Sequence, residues 1–431
     1  MLTKAKRLFL VFLACALQQA SAQNLSRSPY SAIGLGDMQF TGSAWMSAMG
    51  QVGQGISSPF LINNQNPASY GSLQLTTFDV AARGALINLK TSASSSATNT
   101  GSYGYFALAF PLSQKLKWGA SFGLMPYTGV GYNISRNVSE PGITATENLQ
   151  GTGGLSRFYI GSGIKLYKGL SGGINASYLY GQSNNTLFLN IAREDTMFNL
   201  AEFRSRYVGD FQFDLGLQYT DTFVYKEDKY KWGIGLTVSP QMQLSAIDNY
   251  SVRTMPIGST SPSSGGGVGK DTVVDRSNVK GTVTLPLMIK GGVHFQKVDA
   301  WGIGIDLGYY NWDNYKAFGS HDSLKNTLSV GIGASIIPNA TALKSYFKHV
   351  EYRAGFRYDN GNIKVNDNNI NTYAVSAGLG LPLGKARTKL NITGEYMVRG
   401  TTTNRLVRED YITITIGLVI CDKWFYRYRY D

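Results

Sequence analysis

The chain has 431 residues and a formal net charge of +13, with 50 glycines, 27 tyrosines and 20 phenylalanines. So many aromatic residues beside 16% charged residues argue against a disordered chain. Its two cysteines, Cys15 and Cys421, are too few for a disulfide framework or a cysteine-based metal site. The basic residues form no clustered stripe, which argues against a nucleic-acid partner.

Residues 1–22 have the features of a secretory signal peptide. Three cations precede the apolar stretch Leu8–Leu17, and Ala20–Ala22 is a small-residue cleavage site. The apolar stretch is shorter than the ~20 residues that a membrane helix needs. The residues around Cys15 loosely resemble a lipoprotein cleavage box. The alternative to an ordinary signal peptide is therefore a lipoprotein signal peptide. Cleavage would leave a charge of about +10 (13 minus 3), which suits a lipid or lipopolysaccharide surface and equally a plain solvated one.

From residue 74 onward, apolar and polar residues alternate with a period of two. In Tyr411–Ile420 the even positions are all Ile or Leu, and the odd positions are mostly Thr, Gly or Tyr. In residues 202–219 and 350–359, one face is rich in aromatic residues and the other carries charges. This arrangement is the reverse of a soluble β-protein and is typical of a barrel in lipid. The pattern predicts an all-β, antiparallel transmembrane β-barrel.

Fourteen strands are predicted in the barrel domain, residues 74–431. Their connections alternate in length, being long and polar after odd strands, as in Ser92–Gly101 and Arg136–Thr152, and tight after even strands except at Pro338–Phe347. Outer-membrane barrels have this asymmetry, so we predict the bacterial outer membrane, with both mature termini in the periplasm. The predicted strands are 74–91, 102–112, 115–135, 153–168, 171–189, 202–225, 229–249, 279–297, 300–317, 324–337, 348–360, 371–383, 387–400 and 409–421.

Four tryptophans are predicted to lie at one level of the membrane. Trp118, Trp232 and Trp301 each follow a tight turn, and Trp424 follows the last strand. Aromatic side chains concentrate at membrane–water interfaces, so we interpret the four as a periplasmic aromatic girdle.

Residues 23–73 are rich in Gly, Ser and Asn and show no sustained periodicity. A disordered tail and a folded plug both agree with this composition. Fourteen strands enclose more space than their own side chains fill. We therefore predict a hatch inside the lumen.

Several motifs resemble those of the FadL/TodX outer-membrane transporter family. Asn66-Pro67-Ala68 matches its Asn-Pro-Ala hatch motif, and Leu285-Pro286 and Trp312 fall where the family has a Leu-Pro strand and a Tyr-x-x-Trp-like strand end. The resemblance spans nearly the whole mature chain. It implies a 14-stranded barrel without a cofactor for passive uptake of hydrophobic or amphipathic small molecules. The implied hatch and gating residues are Asn66, Pro67, Ala68, Ser69 and Tyr70, and Pro126 is our candidate for a gap in the wall.

A second function remains open from the sequence. The Ala-Gln cleavage site and the closing KWFYRYRYD resemble proteins of the Bacteroidota. In that phylum, FadL-like barrels also serve as non-transporting partners of secretion and barrel-assembly machines. The alternative is therefore a barrel subunit docked to other outer-membrane proteins, with the tail Lys423–Tyr430 as a candidate contact.

The sequence contains little that supports catalysis or metal binding. The stretch GLSGG places Ser171 in a Gly-x-Ser-x-Gly pattern, but at a strand–strand turn rather than the strand–helix turn that such a nucleophile needs. His294, His321 and His349 have no metal-ligand spacing. We predict that the protein is not an enzyme.

Charged residues on the inner face are candidates for a polar path or an anionic ligand site. The alternative, which we favour from the sequence, is a network of mutual ion pairs that holds the hatch. The residues are Arg204, Arg206, Asp210, Asp214, Lys290, Asp306, Glu351, Arg353, Arg357, Glu395 and Arg399.

Overall fold

The computed structural model describes residues 25–140, 143–191, 198–256, 259, 270–322, 324–342, 345–365, 368–384 and 387–424. The predicted signal peptide lies outside these residues, as does most of the predicted tail contact. The described residues form fourteen long strands, which we number β1 to β14. Their bounds are β1 Thr76–Lys90, β2 Ser95–Ser113, β3 Trp118–Glu140, β4 Ile143–Tyr167, β5 Leu170–Ile191, β6 Asn199–Tyr225, β7 Asp228–Ser239 with Met242–Met255, β8 Asp271–Leu285 with Met288–Lys297, β9 Trp301–Tyr310, β10 Thr327–Ile336, β11 Glu351–Asp359, β12 Thr372–Leu383, β13 Thr388–Arg399 and β14 Arg408–Asp422.

Each strand pairs with its neighbours in an antiparallel register, and β14 pairs with β1 from Thr76↔Asp422 to Lys90↔Arg408. This last pairing closes the sheet, so the predicted 14-stranded antiparallel barrel is confirmed. The tight connections lie at the end where β1 starts and β14 finishes, which we call the turn end. We call the opposite end the loop end.

The two faces of the wall differ as the period of two predicts. In β14, Ile412, Ile414 and Ile416 are about half exposed (53%, 54% and 49%), whereas the intervening Thr415 is 3% exposed. Large apolar side chains therefore point outward, a distribution that fits contact with lipid. No helix among the described residues is both long and apolar enough to cross a bilayer.

Prolines interrupt two strands on one side of the barrel. Pro240 separates the two parts of β7, and Pro286 separates the two parts of β8. Proline has no N–H group to donate to the ladder, so the pairing breaks at these positions.

Several strands differ in length from their predicted bounds. Ser92–Gly101 and Arg136–Thr152 are mostly strand rather than loop, because the β1–β2 and β3–β4 hairpins continue at the loop end. Backbone pairing within a hairpin does not require apolar alternation, so the sequence pattern stops before the strands do. The predicted strand 300–317 ends at Tyr310, and a 3₁₀ turn follows at Trp312–Asn314.

The N-terminal segment, residues 25–75, packs against the inner face of the wall. It contains 3₁₀ turns at Pro29–Ala32 and Pro67–Ser72, a two-residue strand at Asp37–Met38 and one helical turn, α1, at Ala44–Ser47. Glycines in the wall permit the approach, since a Cβ at Gly355 would lie 2.0 Å from the Gly50 nitrogen. The remaining short elements are the strands Lys316–Ala317, Ser320–His321, Lys364–Val365 and Asn368–Asn369 and the 3₁₀ turns Tyr346–Lys348 and Thr403–Arg405.

Candidate functional site in the lumen and the wall

The Asn-Pro-Ala motif forms a capped turn at the turn end of the lumen. Asn66 Oδ1 accepts a hydrogen bond from the Ala68 amide at 3.1 Å, and Pro67 is the first residue of the 3₁₀ turn. Proline suits this position because its φ is already fixed and its missing N–H needs no partner there. Asn66 Nδ2 donates to the carbonyls of Gln54 and Leu217 at 3.1 and 3.2 Å. One side chain thus joins the turn, its own segment and β6.

Ser69 and Tyr70 complete this turn. Ser69 Oγ donates to the Asn66 carbonyl at 2.8 Å, and the fully buried Tyr70 hydroxyl donates to Asn175 Oδ1 at 3.2 Å. Burial raises the pKa of Tyr70 well above its usual value. The wall allows no larger residue at Gly173, where a Cβ would lie 2.4 Å from the Pro67 carbonyl carbon.

Most of the predicted lumenal charges pair with one another or with neighbours. Arg204 donates to both carboxylate oxygens of Asp248 at 2.9–3.1 Å, and Arg206 lies 3.4 Å from the same group. Glu351 accepts from Arg353 at 2.6 Å and from Lys389 at 2.9 Å. Asp214 pairs with Arg157 and accepts from Ser239 Oγ at 2.5 Å. These contacts link strands of the wall.

Two further charges hold the N-terminal segment. Asp306 Oδ2 accepts from the amides of Gly53 and Gln54 at 2.7 and 2.9 Å. Arg399 Nη1 donates to Asp37 Oδ1 at 2.7 Å and lies 3.8 Å from Glu409. Both contacts fit the predicted network that holds the segment in the lumen.

Asp210 does not join the other predicted charges at the main cavity. Its carboxylate accepts from the backbone N–H and Oγ of Ser245 at 2.9 and 2.8 Å. Ser245 lies in β7 near Pro240, where the pairing between β6 and β7 is interrupted. Asp210 therefore replaces part of a broken ladder and does not line the main cavity.

The wall changes at the level of Pro126. The ladder between β2 and β3 runs from Ser113↔Trp118 to Phe106↔Leu124 and ends there, although both strands continue to the loop end. Each strand has an irregularity at this level, at Gly104 in β2 and at Tyr127 in β3.

The N-terminal segment occupies the edge of β3 beyond this point. Asp37 and Met38 pair with Gly129 and Thr128, and the Gln39 amide donates to the Tyr127 carbonyl at 2.9 Å. An exposed strand edge offers unpaired backbone groups, and here the chain's own segment satisfies them.

The four predicted interface tryptophans lie at the turn end. Trp118 and Trp301 begin β3 and β9 and are each 40% exposed, and Trp232 is near the start of β7. Trp424 follows the end of β14 and is 51% exposed. Their positions suit one interfacial level, and the girdle itself stays a prediction.

The apolar part of the lumen, toward the loop end, is filled by the chain itself. Leu155, Leu179 and Val208 of the wall pack with Trp312 and Tyr315. Ile33 and Leu35 of the N-terminal segment pack against the same cluster. A space of about 20 Å³ remains beside Leu155, roughly the size of one water molecule.

A cavity of about 330 Å³ lies between the N-terminal segment and the wall. Its lining includes five of the predicted lumenal residues, namely Asp214, Lys290, Arg357, Glu395 and Arg399. Asp306 borders a smaller space of about 70 Å³. Within the described ranges, no group of three or more His, Cys, Asp or Glu side chains is placed to hold a metal ion.

Comparison with known proteins assigns the family. The model of the BamG family matches residues 4–431. The chain belongs to the BamG family. No curated protein sequence matches it.

Two solved structures share the fold of this BamG-family chain. The Ralstonia pickettii toluene transporter TbuX has 14% identity and a TM-score of 0.56, with 89% of this chain and 98% of that chain covered. The Pseudomonas putida toluene transporter TodX has 13% identity and a TM-score of 0.54, with 91% and 100% covered. The resemblance to the FadL/TodX family is thus confirmed for the barrel architecture, while the matching family model is BamG.

Several residues that the BamG-family fold brings to the site were not identifiable as partners from the sequence. Asp37 and Glu409 meet Arg399, and Arg157 meets Asp214. Arg83 lies on the inner face of β1 at the cavity. Alternation with Asp79 and Ala81 would have identified Arg83 as inward, but Asp37 lies in a segment without periodicity.

Proposed function

We propose that this protein is a non-transporting barrel subunit of an outer-membrane secretion or barrel-assembly complex, and that its N-terminal segment is a permanent hatch. The observation that carries the proposal is the filling of the lumen. Where the interior is apolar, Ile33, Leu35 and the loop residues Trp312 and Tyr315 occupy it. The remaining space, about 330 Å³, has a mixed lining in which apolar side chains such as Phe40 and Ile87 alternate with charged and polar ones, so it suits a hydrocarbon less well than a wholly apolar pocket would.

The attachment of the N-terminal segment also supports a permanent hatch. The Arg399–Asp37 pair is largely buried, with side chains 15% and 12% exposed. Separating such a pair leaves uncompensated charge and costs ~3–5 kcal/mol. Asp306 and Asn66 add hydrogen bonds from other sides of the barrel. Displacing the segment during each uptake event would require all these contacts to break together.

One surface at the turn end fits a protein partner. The β10–β11 connection is the long exception among the tight turns and presents Phe347, 71% exposed, and Tyr346, 48% exposed. Tyr346 donates to the Pro382 carbonyl at 3.1 Å, which fixes the connection against β12. Ordered aromatic side chains of this kind are enriched at protein interfaces. We place this end in the periplasm.

The comparisons bear on this proposal through the family and the fold. The chain is a member of the BamG family, and its likeness to toluene transporters, at 13–14% identity, extends to the fold. The closing residues after Trp424 are a second candidate contact and lie outside the described residues.

The test is extraction of the tagged protein, at its natural level, from its own outer membrane in mild detergent. We expect it to co-purify in a fixed ratio with secretion or barrel-assembly proteins. Depletion should then lower the amount of other outer-membrane proteins that become folded. Recovery of the protein alone, with a bound lipid or fatty acid, would contradict the proposal.

Passive uptake of a hydrophobic or amphipathic molecule is the second candidate, favoured by the wall near Pro126. The β2–β3 ladder ends there, so movement of Asp37–Met38 from the edge of β3 would open a lateral path. This movement breaks the Arg399–Asp37 pair but leaves the contacts of Asp306 and Asn66 in place. This mechanism predicts that deletion of residues 25–73 raises the permeability of vesicles to hydrophobic probes. Unchanged permeability in folded protein would argue against it.

A further inference from the structure

The cavity of about 330 Å³ is lined by many charged side chains. Neither docking to other proteins nor uptake of hydrophobic molecules requires them. It lies between the N-terminal segment, near Asp37 and Asn64, and inward residues of strands on several sides of the barrel. Its lining includes five cationic side chains, Arg83, Arg157, Lys290, Arg357 and Arg399, and four carboxylates, Asp37, Asp214, Asp359 and Glu395. These charges are not equally paired.

Two of the five cations have close carboxylate partners. Arg399 pairs with Asp37 at 2.7 Å, and Arg157 pairs with Asp214. Arg357 has only a long contact, 3.9 Å from its Nη2 to Glu395 Oε1. These pairs account for three of the four carboxylates.

Arg83 and Lys290 have no carboxylate within ion-pair distance among the described residues. Lys290 Nζ lies 5.6 Å from the centre of the Tyr310 ring. Among carboxylates, Glu395 acts most strongly on Arg83, and it already faces Arg357. Asp306 acts on Lys290 from beyond ion-pair distance and is already bound to the amides of Gly53 and Gln54. The fourth carboxylate, Asp359, accepts the Gly361 amide at 2.6 Å. The cavity therefore has cations without an anion, and its carboxylates all have a donor or a cation beside them.

Polar atoms without a protein partner are concentrated in the same place. Among the described residues, fourteen buried side-chain nitrogen or oxygen atoms lack a partner within the protein, and seven of them belong to residues that line this cavity. They are Ser47 Oγ, Asn64 Oδ1, Arg83 Nε, Tyr127 Oη, Gln212 Oε1, Thr327 Oγ1 and Arg357 Nε. Unsatisfied buried groups cost ~1–3 kcal/mol each, so this part of the lumen needs polar partners, which ordered water or a bound polar molecule supplies.

Three of these side chains are almost fully enclosed. Tyr127 is 3% exposed, Gln212 1% and Thr327 5%. The hydroxyls of Tyr127 and Thr327 can donate and accept, whereas Gln212 Oε1 and Asn64 Oδ1 only accept. Tyr127 and Gln212 also lie close enough to interact with each other, so a ligand would share them rather than find each one free. Water or the hydroxyl groups of a ligand can serve this set, and a ligand that also balances Arg83 and Lys290 carries a negative charge.

The volume limits the size of such a partner. The cavity of about 330 Å³ is far larger than the space that one water molecule needs. It is at the lower end of the range for small-molecule sites. A six-carbon sugar derivative has a suitable size, whereas a lipid with its acyl chains does not.

We propose that the cavity binds a small polyhydroxylated anion, a sugar acid or a sugar phosphate, through Arg83 and Lys290, with Tyr127, Gln212 and Thr327 contacting its hydroxyls. The site is independent of the proposed docking role, so either can fail without the other. It also differs from a transport pocket for hydrocarbons, because charge rather than apolar area would select the ligand.

The test is calorimetric titration of the purified full chain in detergent with gluconate, glucose 6-phosphate, glucose and inorganic phosphate. We expect gluconate or glucose 6-phosphate to bind, and the preferred one of the two identifies the acid group. Glucose and phosphate should each bind at least tenfold more weakly than that anion. No binding of either sugar anion at millimolar concentration would overturn the proposal, as would equal binding of glucose.

Matched variants locate the site. Arg83→Gln and Lys290→Gln should each weaken binding at least tenfold. Arg204→Gln should leave it unchanged, because Arg204 pairs with Asp248 and does not line the cavity. Where a variant fails to fold, competition with an excess of salt replaces it, and binding that is insensitive to salt contradicts the proposal. Equal affinity in folded Arg83→Gln and Arg204→Gln would also overturn it.

Discussion

Arg399 Nη1 lies 2.7 Å from Asp37 Oδ1, and this contact joins strand β13 to the residues that pair with the edge of β3. Asp37 also accepts from Ser26 Oγ at 2.5 Å. Glu409, which is fully buried, lies 3.8 Å from the same guanidinium nitrogen and accepts from Ser28 Oγ. One arginine therefore balances two carboxylates where the N-terminal segment crosses the lumen.

Arg399→Gln should release the N-terminal segment from the edge of β3. The change leaves Asp37 and Glu409 without a counter-charge, and breaking a buried pair in this way costs ~3–5 kcal/mol. Hydrogen exchange should then become faster at the Gln39 amide, which donates to the Tyr127 carbonyl. The measurement is exchange followed by mass spectrometry of the purified barrel.

Arg204→Gln is the control for this experiment. Arg204 also pairs with an aspartate, Asp248, but both residues belong to the wall. Faster exchange at Gln39 in both variants would mean that the barrel is loosened generally. No change in either variant would mean that the Arg399–Asp37 contact does not hold the segment.

Gly173→Ala should destabilise the folded barrel through the hatch and not through the wall. A Cβ at Gly173 would lie 2.4 Å from the Pro67 carbonyl carbon, and overpacking of this kind costs ~1–3 kcal/mol. Gly394→Ala is the matched control, because a Cβ at Gly394 of β13 meets nothing within 4 Å. Urea unfolding in detergent compares the two free energies of unfolding. Equal losses would contradict tight packing at the Pro67 turn.

The architecture was predictable because lipid-facing strands follow a strict chemical rule. Ile412, Ile414 and Ile416 alternate with Thr and Gly along β14, and this period alone assigns both faces. The turn end was also predictable from the sequence, because Trp118, Trp232 and Trp301 each follow a connection of a few residues. The hairpin extensions at the loop end lack apolar–polar alternation. Backbone hydrogen bonds hold a hairpin together whichever side chains face water, so these extensions could not be predicted.

The interior was less predictable because its contacts join residues far apart in the sequence. Asp37 and Arg399 are separated by 362 positions, and no local pattern indicates that they meet. Inward charges such as Arg357 were identifiable from alternation, but their partners were not. For Asp210 the unpredicted part is again the partner, the Ser245 amide that the interruption at Pro240 leaves unpaired.

Phe347→Ser should reduce co-purification of partner proteins several-fold while the barrel remains folded. Its side chain is 71% exposed on the β10–β11 connection, so its loss removes interface area without opening the core. Tyr225→Ser is the control, since Tyr225 is 57% exposed at the tight β6–β7 turn. Quantitative mass spectrometry of the purified sample gives the ratio of partner proteins to tagged protein. Equal loss in both variants would indicate membrane anchoring rather than a docking surface.

A disulfide between the N-terminal segment and β3 separates the two candidate functions. Met38 and Thr128 are register partners, so Met38→Cys with Thr128→Cys, in a Cys421→Ser background, can join the segment to the strand edge. The same protein after reduction is the control.

If the hatch is permanent, the oxidised protein should keep its partners and support normal folding of other outer-membrane proteins. The reason is that a docked barrel needs no movement of Asp37–Met38. The opposite outcome is that vesicles take up a hydrophobic probe, lose this uptake on oxidation and regain it on reduction. That result would establish the lateral path near Pro126, and the docking proposal would then fail.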